Sequence, residues 1–374
     1  MTENEFKEYI ESIKHTYEFQ QLMEWIGIED DQKLFESLLN YLSKAHPRRD
    51  TREFFVPDFN HFREFFDCYR TKSFEMFYTQ TGEIDLSKTP YIKQSYNKKS
   101  PMGKFTDRYI MLPDRTIFIS KYPVHLKPKW RIYDSACQYN GIIATGIANQ
   151  IGVSSSENEL AIIENGQPRL LSKFFLLPNE ELNSFYEDEE DENEKINTKI
   201  SDTLNSLESS LRLRKFPETD IKRAKIEFLK QEFLAKLIGL CDQNNQNTGI
   251  ITSTDSESNR SVRLAPMFDY DFSFFTAKDF LLTRRACDNG QTDIGSLIRQ
   301  YKDYPGFMEF VKKSISTLDM NQVYDSIYTS KHLKLFKPPH DDVILNRFTE
   351  FVNRNLTLAR NTVKELNENA KEEK

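Results

Sequence analysis

The sequence predicts an α+β protein of two lobes, a small β-rich one followed by a helical one, behind an additional and mostly helical N-terminal region. Three observations carry this. Residues 1–90 are rich in Phe, Tyr and Glu, with apolar residues at helical spacing. Residues 91–180 break into short β-type runs around one helix-like stretch. Residues 201–374, beyond an acidic segment at 181–200, return to long amphipathic patterns.

In the first region Leu34, Leu38, Leu39 and Leu42 form a helical core face, and His15, His46 and His61 read as surface or packed histidines without partner ligands at metal spacing. In the second, Tyr109–Leu112, Arg115–Lys121, Leu160–Ile163 and Arg169–Leu177 are strand candidates. They are separated by turn signals such as Leu-Pro-Asp-Arg and Glu-Asn-Gly-Gln-Pro. A helix is expected over Cys137–Gln150, stopping before Gly152. The run Glu187–Glu194 reads as a solvated loop or linker, with a docking site for a basic partner as the alternative. Asp220 is placed as the N-cap of a helix running to Leu240. That helix buries Ile221, Ile226, Phe228, Leu229, Phe233, Leu234, Leu237 and Ile238. A last amphipathic helix spans 341–368.

Bulk properties exclude several classes. With 374 residues, 38% hydrophobic and 13% aromatic including 29 Phe and 17 Tyr, the chain can pack a core and is not globally disordered. Its net charge of −7 and lack of a long basic run argue against a dedicated nucleic-acid binder. The 4 cysteines are far apart, which fits reduced thiols in a cytosol rather than a zinc knuckle or a disulfide framework. The N-terminus lacks an apolar signal region, so a cytoplasmic protein is expected, with non-Sec secretion or host delivery left open. No apolar run approaches the roughly 20 residues that cross a bilayer, so no membrane partner is expected.

The chemistry concentrates in Gly239-Leu-Cys-Asp242-Gln-Asn-Asn-Gln-Asn247-Thr-Gly249 and Arg263-Leu-Ala-Pro-Met-Phe-Asp269-Tyr-Asp271. An acid, an amide five residues on, and a second acid after a strand are the set that phosphoryl transfer from ATP uses. One carboxylate orients and deprotonates the acceptor hydroxyl, while the amide and second carboxylate hold Mg²⁺ against the phosphates. The same residues also suit a cap, an Asx turn and a polar loop. Spacing alone does not choose between Asp269 and Asp271. Lys121, ending a strand, can reach the α/β-phosphates or simply close the strand at the surface. Asn97–Lys104 offers Gly103, Lys98, Lys99 and Lys104 to a phosphate, or is an ordinary basic turn.

These residues resemble the HipA-like serine/threonine kinases, CtkA-type members included, over about residues 95–300. The family's catalytic loop, Asp-Arg-His-x-x-Asn-x-Gly, and its metal loop, Ala-Pro-x-Tyr/Phe-Asp, match Asp242 to Gly249 and Ala265 to Asp269 in order and spacing. The resemblance implies a bilobal, protein-kinase-like fold using ATP and Mg²⁺. Asp242 and Lys121 would be catalytic, Asn247 and Asp269 the metal ligands. It selects Asp269 over Asp271. Phe118-Ile-Ser-Lys121-Tyr-Pro looks like the strand carrying the ATP lysine, and Ala148–Val153 like the end of the small-lobe helix. Leu171-Ser-Lys173-Phe174-Phe175 looks like the strand entering the hinge, where backbone groups meet adenine.

By resemblance the protein would be a toxin or effector, with a protein Ser/Thr substrate, an antitoxin or regulatory protein as partner, and autophosphorylation at Ser95 or Ser100. Two positions depart from the pattern. Gln243-Asn244 replaces Arg-His, and Asn140-Gly141 stands where the small-lobe helix offers a Glu, with Asp134 the nearby acid. A lysine without that carboxylate is less well oriented, which keeps a nucleotide-binding pseudokinase as the alternative. A phosphoinositide-type lipid kinase shares the Asp-x-x-x-x-Asn order, but no basic lipid-facing segment stands out.

Overall fold

The computed structural model describes residues 1–26, 28, 33–44, 59–71, 84–85, 91–92, 108–111, 116–121, 134–162, 168–176, 180–183, 200–240, 248–254, 260–268, 270, 273–274, 293–329 and 341–372. The chain mixes helices with small sheets and divides into two compact units. The first comprises Met1–Pro123, Glu157–Phe174 and Tyr328–Phe336, the second Val124–Ser156, Phe175–Ile327 and Lys337–Lys374.

The first unit opens with α1 (Glu3–Ile13), α2 (Tyr17–Ile26), α3 (Leu34–Lys44) and α4 (Phe59–Thr71). Thr2 and Glu5 form a reciprocal capping box that starts α1. Phe6, Phe19, Leu38, Phe65 and Phe66 close a core of their own, and Phe6 stacks on Phe59 with centroids 4.5 Å apart. Leu34 and Leu38 are buried and Leu39 partly so, as the helical spacing requires.

A six-stranded sheet follows. It is built from β1 (Ile84–Asp85), β2 (Tyr91–Ile92), β3 (Arg108–Met111), β4 (Ile117–Lys121), β5 (Asn158–Ile162) and β6 (Pro168–Lys173), in the order β1-β5-β6-β4-β3-β2. Every pairing is antiparallel except β1 with β5. Four of these strands lie on the runs expected from sequence, with ends shifted by up to four residues.

The second unit holds α5 (Asp134–Ile151) and a three-stranded antiparallel sheet of β7 (Glu180–Asn183), β8 (Ile250–Thr254) and β9 (Arg260–Leu264). Its other helices are α6 (Ile200–Leu213), α7 (Glu218–Ile238), α8 (Ile294–Gln300), α9 (Phe307–Thr317), α10 (Met320–Thr329) and α11 (Asp341–Glu372). Among the described residues no helix is long and apolar enough to cross a membrane. The acidic run Glu187–Glu194 lies outside them.

The centre of this unit is α7. From Phe228 to Ile238 every residue but Lys230 and Lys236 is buried. A helix buried nearly all round belongs in the middle of a bundle, and α7 packs against α6, α8, α9 and α11. Two expectations need correction. Ile226 is only half-buried. Asp220 is not the N-cap: Pro217, with φ −67°, occupies that place in extended conformation. Glu218 and Asp220 then sit in the first turn, where carboxylates complement the helix dipole, and Asp220 pairs with Arg223 at 2.9 Å.

The other end of α7 is set by Gly239, left-handed at φ 63°. The amide of Leu240 donates to the Ala235 carbonyl at 2.8 Å, a Schellman-type closure. A Cβ on Gly239 would also run into the ring of Phe351 on α11. Gly306, at φ 79°, has open space where its Cβ would be. Gly306→Ala is therefore expected to cost the left-handed penalty alone, about 1–2 kcal/mol. Gly239→Ala adds a collision with a buried aromatic ring, and should lower the calorimetric unfolding midpoint clearly further. Equal midpoints would mean that Phe351 yields freely.

Glu208 of α6 accepts hydrogen bonds from Lys225, the larger influence, and Arg212, which hold its carboxyl below the usual range of about 4.5. A carboxylate depressed in the folded state contributes stability above its unfolded pKa and loses it as pH falls through the folded one. Glu208→Gln should thus narrow its stability deficit relative to wild type as pH drops below 4.5, read from urea midpoints across that range.

Candidate active site

The two halves of the sequence motif leave neighbouring scaffold points. The stretch that carries Asp242 and Asn247 follows Gly239-Leu240 at the end of α7 and precedes Thr248-Gly249, directly before β8. The stretch that carries Asp269 follows β9, which ends at Leu264. The β8–β9 register sets Ile250 opposite Leu264, and the Ala265 amide donates to the Gly249 carbonyl at 2.9 Å. Asn247 is thus two residues from a backbone hydrogen bond whose other end is four residues before Asp269. Gly249 has a steric reason of its own: a Cβ there would lie 2.7 Å from the Asn183 carbonyl oxygen of β7. The last carbonyls of α7, at Lys236 and Leu237, accept from the Asn355 amide of α11 at 3.1 and 3.0 Å.

The described residues among 265–274 are held by side-chain and backbone hydrogen bonds together. The buried Gln231 of α7 donates to the Ala265 carbonyl at 2.7 Å. Met267 forms a parallel bridge beside Ser155: its amide donates to Ser154 at 2.9 Å and its carbonyl accepts from Ser156 at 2.7 Å. The Tyr270 hydroxyl is 2.6 Å from that of Ser155 and also donates to the Met267 carbonyl. Burial pushes the Tyr270 phenol well up, with the Ser155 contact acting the other way, so it keeps its proton at physiological pH.

Asn140 of α5, 2% exposed, donates to the Ser273 carbonyl at 3.0 Å. Phe274, at φ 62°, sends its amide back to Ile238 at the end of α7 and packs its ring against Phe348. On the approach to this segment, Phe268 contacts the ring of Phe175 at 5.3 Å, and Arg263 bonds both Glu180 and the Phe175 carbonyl.

Asp242, Asn247, Asp269 and Asp271 lie outside the described residues, as do Gln243, Asn244, Gly103, Lys104, Ser95 and Ser100. Lys121 is the last residue of β4, in register with Leu170 of β6. Lys173 ends β6: its amide donates to the Glu157 carbonyl at 2.7 Å and its ammonium pairs with the Glu157 carboxylate at 2.8 Å. Phe174 packs partly buried against the helical core of the first unit. The helix expected over Cys137–Gln150 is α5, which ends one residue before Gly152.

Sequence reasoning missed Gln231, Ser155 and Tyr270, and read Asn140 only as a departure from an acid. Asn140 carries a legible signal, an amide three and four residues before Ile143 and Ala144, whereas Gln231 is masked by Lys230 and Glu232 beside it. The amide of Asn247 and the carboxylate of Asp269 would offer oxygen donors of the kind that suit Mg²⁺.

No family model matches the chain, and no curated protein matches it. Among solved structures it resembles a Helicobacter pylori proinflammatory kinase, CtkA, with 15% identity and a TM-score of 0.50 over 70% of this chain and 95% of that one. It also matches HipA of the Shewanella oneidensis MR-1 toxin–antitoxin system, solved with HipB and operator DNA. There the identity is 14% and the TM-score 0.39, over 73% of this chain and 63% of that one. The likeness to CtkA is one of fold.

Gln231→Met keeps the bulk of the side chain and removes the donor to Ala265. A buried carbonyl left without its partner should cost about 1–3 kcal/mol in urea unfolding. Gln322→Ala, which breaks only an exposed amide pair with Gln150, should change stability by no more than about 0.5 kcal/mol.

Proposed function

We propose that this chain is an ATP- and Mg²⁺-dependent HipA-like serine/threonine protein kinase of toxin or effector type, with its own bilobal division at about residues 91–180 and 201–374 and an added region at 1–90. What supports this most is the coincidence of a HipA-like fold with the Gly249–Ala265 tie, which joins the two motif segments in that order.

In this reading Asp242 accepts the proton of a Ser or Thr hydroxyl on a protein substrate as its oxygen attacks the γ-phosphorus. The bond from the γ-phosphorus to the β-bridging oxygen breaks, ADP leaves, and a phosphomonoester remains. Asn247 and Asp269 would hold Mg²⁺, which when bound neutralises charge on the phosphates. Lys121 would bind the α/β-phosphates, Gly103 and Lys104 would cover them, and the backbone at Lys173 and Phe174 would meet adenine. Most of the acceleration would come from positioning and fixed charge. ATP as co-substrate and reduced thiols fit a cytoplasmic setting, with an antitoxin or regulatory protein as partner. Ser95 and Ser100 are the proposed autophosphorylation sites.

One observation favours a pseudokinase as the second reading. Asn140, which with Gly141 stands near the place of the small-lobe Glu, is engaged with the Ser273 carbonyl and brings no carboxylate.

Purified protein incubated with γ-labelled ATP and Mg²⁺ should become labelled on Ser or Thr, and Asp242→Ala and Asp269→Ala should each lose at least about 100-fold of that label. Asp271→Ala should retain it. ATP binding by calorimetry without label in the wild type, with or without added protein substrates, would favour the pseudokinase. Absence of ATP binding would overturn both readings.

A further inference from the structure

The buried polar side chains of the second unit are not spread evenly. Thr203, Ser210, Ser314 and Thr362 lie on α6, α9 and α11. Ser314 and Thr362 bond carbonyls one turn back in their own helices. By contrast, Asn140 and Gln231 donate to carbonyls within residues 265–274, the half-buried Ser155 meets the Tyr270 hydroxyl, and Thr145 bonds the carbonyl of Ser156, whose amide donates to Met267. Asn140 makes the longest-range of these bonds, 133 residues apart in sequence.

Its chemistry is specific. A carbonyl only accepts, so the Asn140 amide nitrogen must face Ser273, and neither an aliphatic nor a carboxylate side chain could take its place. Ser155, just beyond α5, fixes Tyr270 through the two hydroxyls. The segment is therefore pinned at Met267, Tyr270, Ser273 and Phe274. Asp269 and Asp271 each adjoin Tyr270 in the chain and stand within two residues of another pinned point.

We infer that Asn140 and Ser155 are positioning residues for the metal-binding carboxylate at Asp269: through the Ser273 carbonyl and the Tyr270 hydroxyl, α5 and the turn after it set the affinity for Mg²⁺. This rests on the kinase reading above. It also gives the substitution of an amide for an acid at residue 140 a physical content. A side chain whose role is to neutralise a lysine needs charge, whereas one that holds a carbonyl needs a donor. Asn140 supplies the donor. Backbone held by second-layer hydrogen bonds keeps a ligand in productive geometry, and losing such support typically weakens metal binding 10- to 100-fold.

The test is calorimetric titration of ATP into the full chain at a series of Mg²⁺ concentrations and in EDTA. The variants are Asn140→Leu, of similar volume without the donor, Ser155→Ala, Ser155→Thr, and Ser314→Ala as a buried hydroxyl remote in sequence from the segment. The half-saturating Mg²⁺ should rise about tenfold in Asn140→Leu and Ser155→Ala. Affinity in EDTA should stay within about twofold, and Ser155→Thr should recover the wild-type value. Ser314→Ala should lower the thermal midpoint with no change in the Mg²⁺ requirement.

Wild-type Mg²⁺ dependence in Asn140→Leu and Ser155→Ala, with only their midpoints lowered, would overturn the inference and leave the kinase reading standing. If Asn140→Leu does not fold, Ser155→Ala with its Thr rescue decides alone. A wild type that binds ATP identically with and without Mg²⁺ would remove the kinase reading together with the inference.

Discussion

The second unit depends on how α7 ends. A helix buried on nearly every side leaves its final carbonyls in the interior, where unpaired polar groups cost several kcal/mol. Here Asn355 takes two of them, the Phe274 amide takes Ile238, and the Leu240 amide folds back to Ala235. The αL turn at Gly239 makes that closure possible, and the closeness of Phe351 leaves no room for a side chain there. Asn355 and Phe274 come from elements distant in sequence. The end of one helix thereby fixes where α11 lies, where residues 273–274 return, and where the chain carrying Asp242 departs.

The β8–β9 hairpin does the second half of the work. In the kinase reading an acid, an amide and a second acid must meet around one phosphate, although the outer two, Asp242 and Asp269, are 27 positions apart. Folding the intervening chain into a two-stranded ladder brings Gly249 and Ala265 into direct hydrogen bonding, so loop and strand end start from adjacent points. The ladder can sit there because β8 also pairs with β7, and the approach of Asn183 to Gly249 makes glycine a packing requirement. Gly249 thus has a packing reason in β7, whatever the loop before it binds.

Much of this was legible in the sequence, for identifiable reasons. The face of α7 is read from Ile221, Phe228, Leu229, Phe233, Leu234, Leu237 and Ile238 because burial and helical periodicity are the same signal. The start of α7 was misplaced at Asp220 because proline followed by two first-turn acids gives a cap without a side-chain hydrogen bond, a solution that cap rules rank low. Strand runs emerged while their order did not. Nothing local in Ile84-Asp85 announces a parallel pairing with Ala161-Ile162. Within the site, Asp242, Asn247 and Asp269 stand out through their spacing. Ser155 and Tyr270 do not, because they pair across a separation of 115 residues.

That asymmetry follows from what the two groups of residues do. Residues proposed to touch phosphate and metal must keep a fixed chemical type at a fixed spacing along short loops, and such a pattern survives in one dimension. Residues that hold an irregular backbone segment only have to supply a donor at the right point in space, from whichever element passes nearby. Replacing a buried network by apolar residues is often neutral where the partner can be replaced too. The partners here are backbone carbonyls, which no substitution removes. Asn140 and Gln231 must therefore remain donors as long as residues 265–274 keep their course, and two buried amides on apolar helices mark where that course runs.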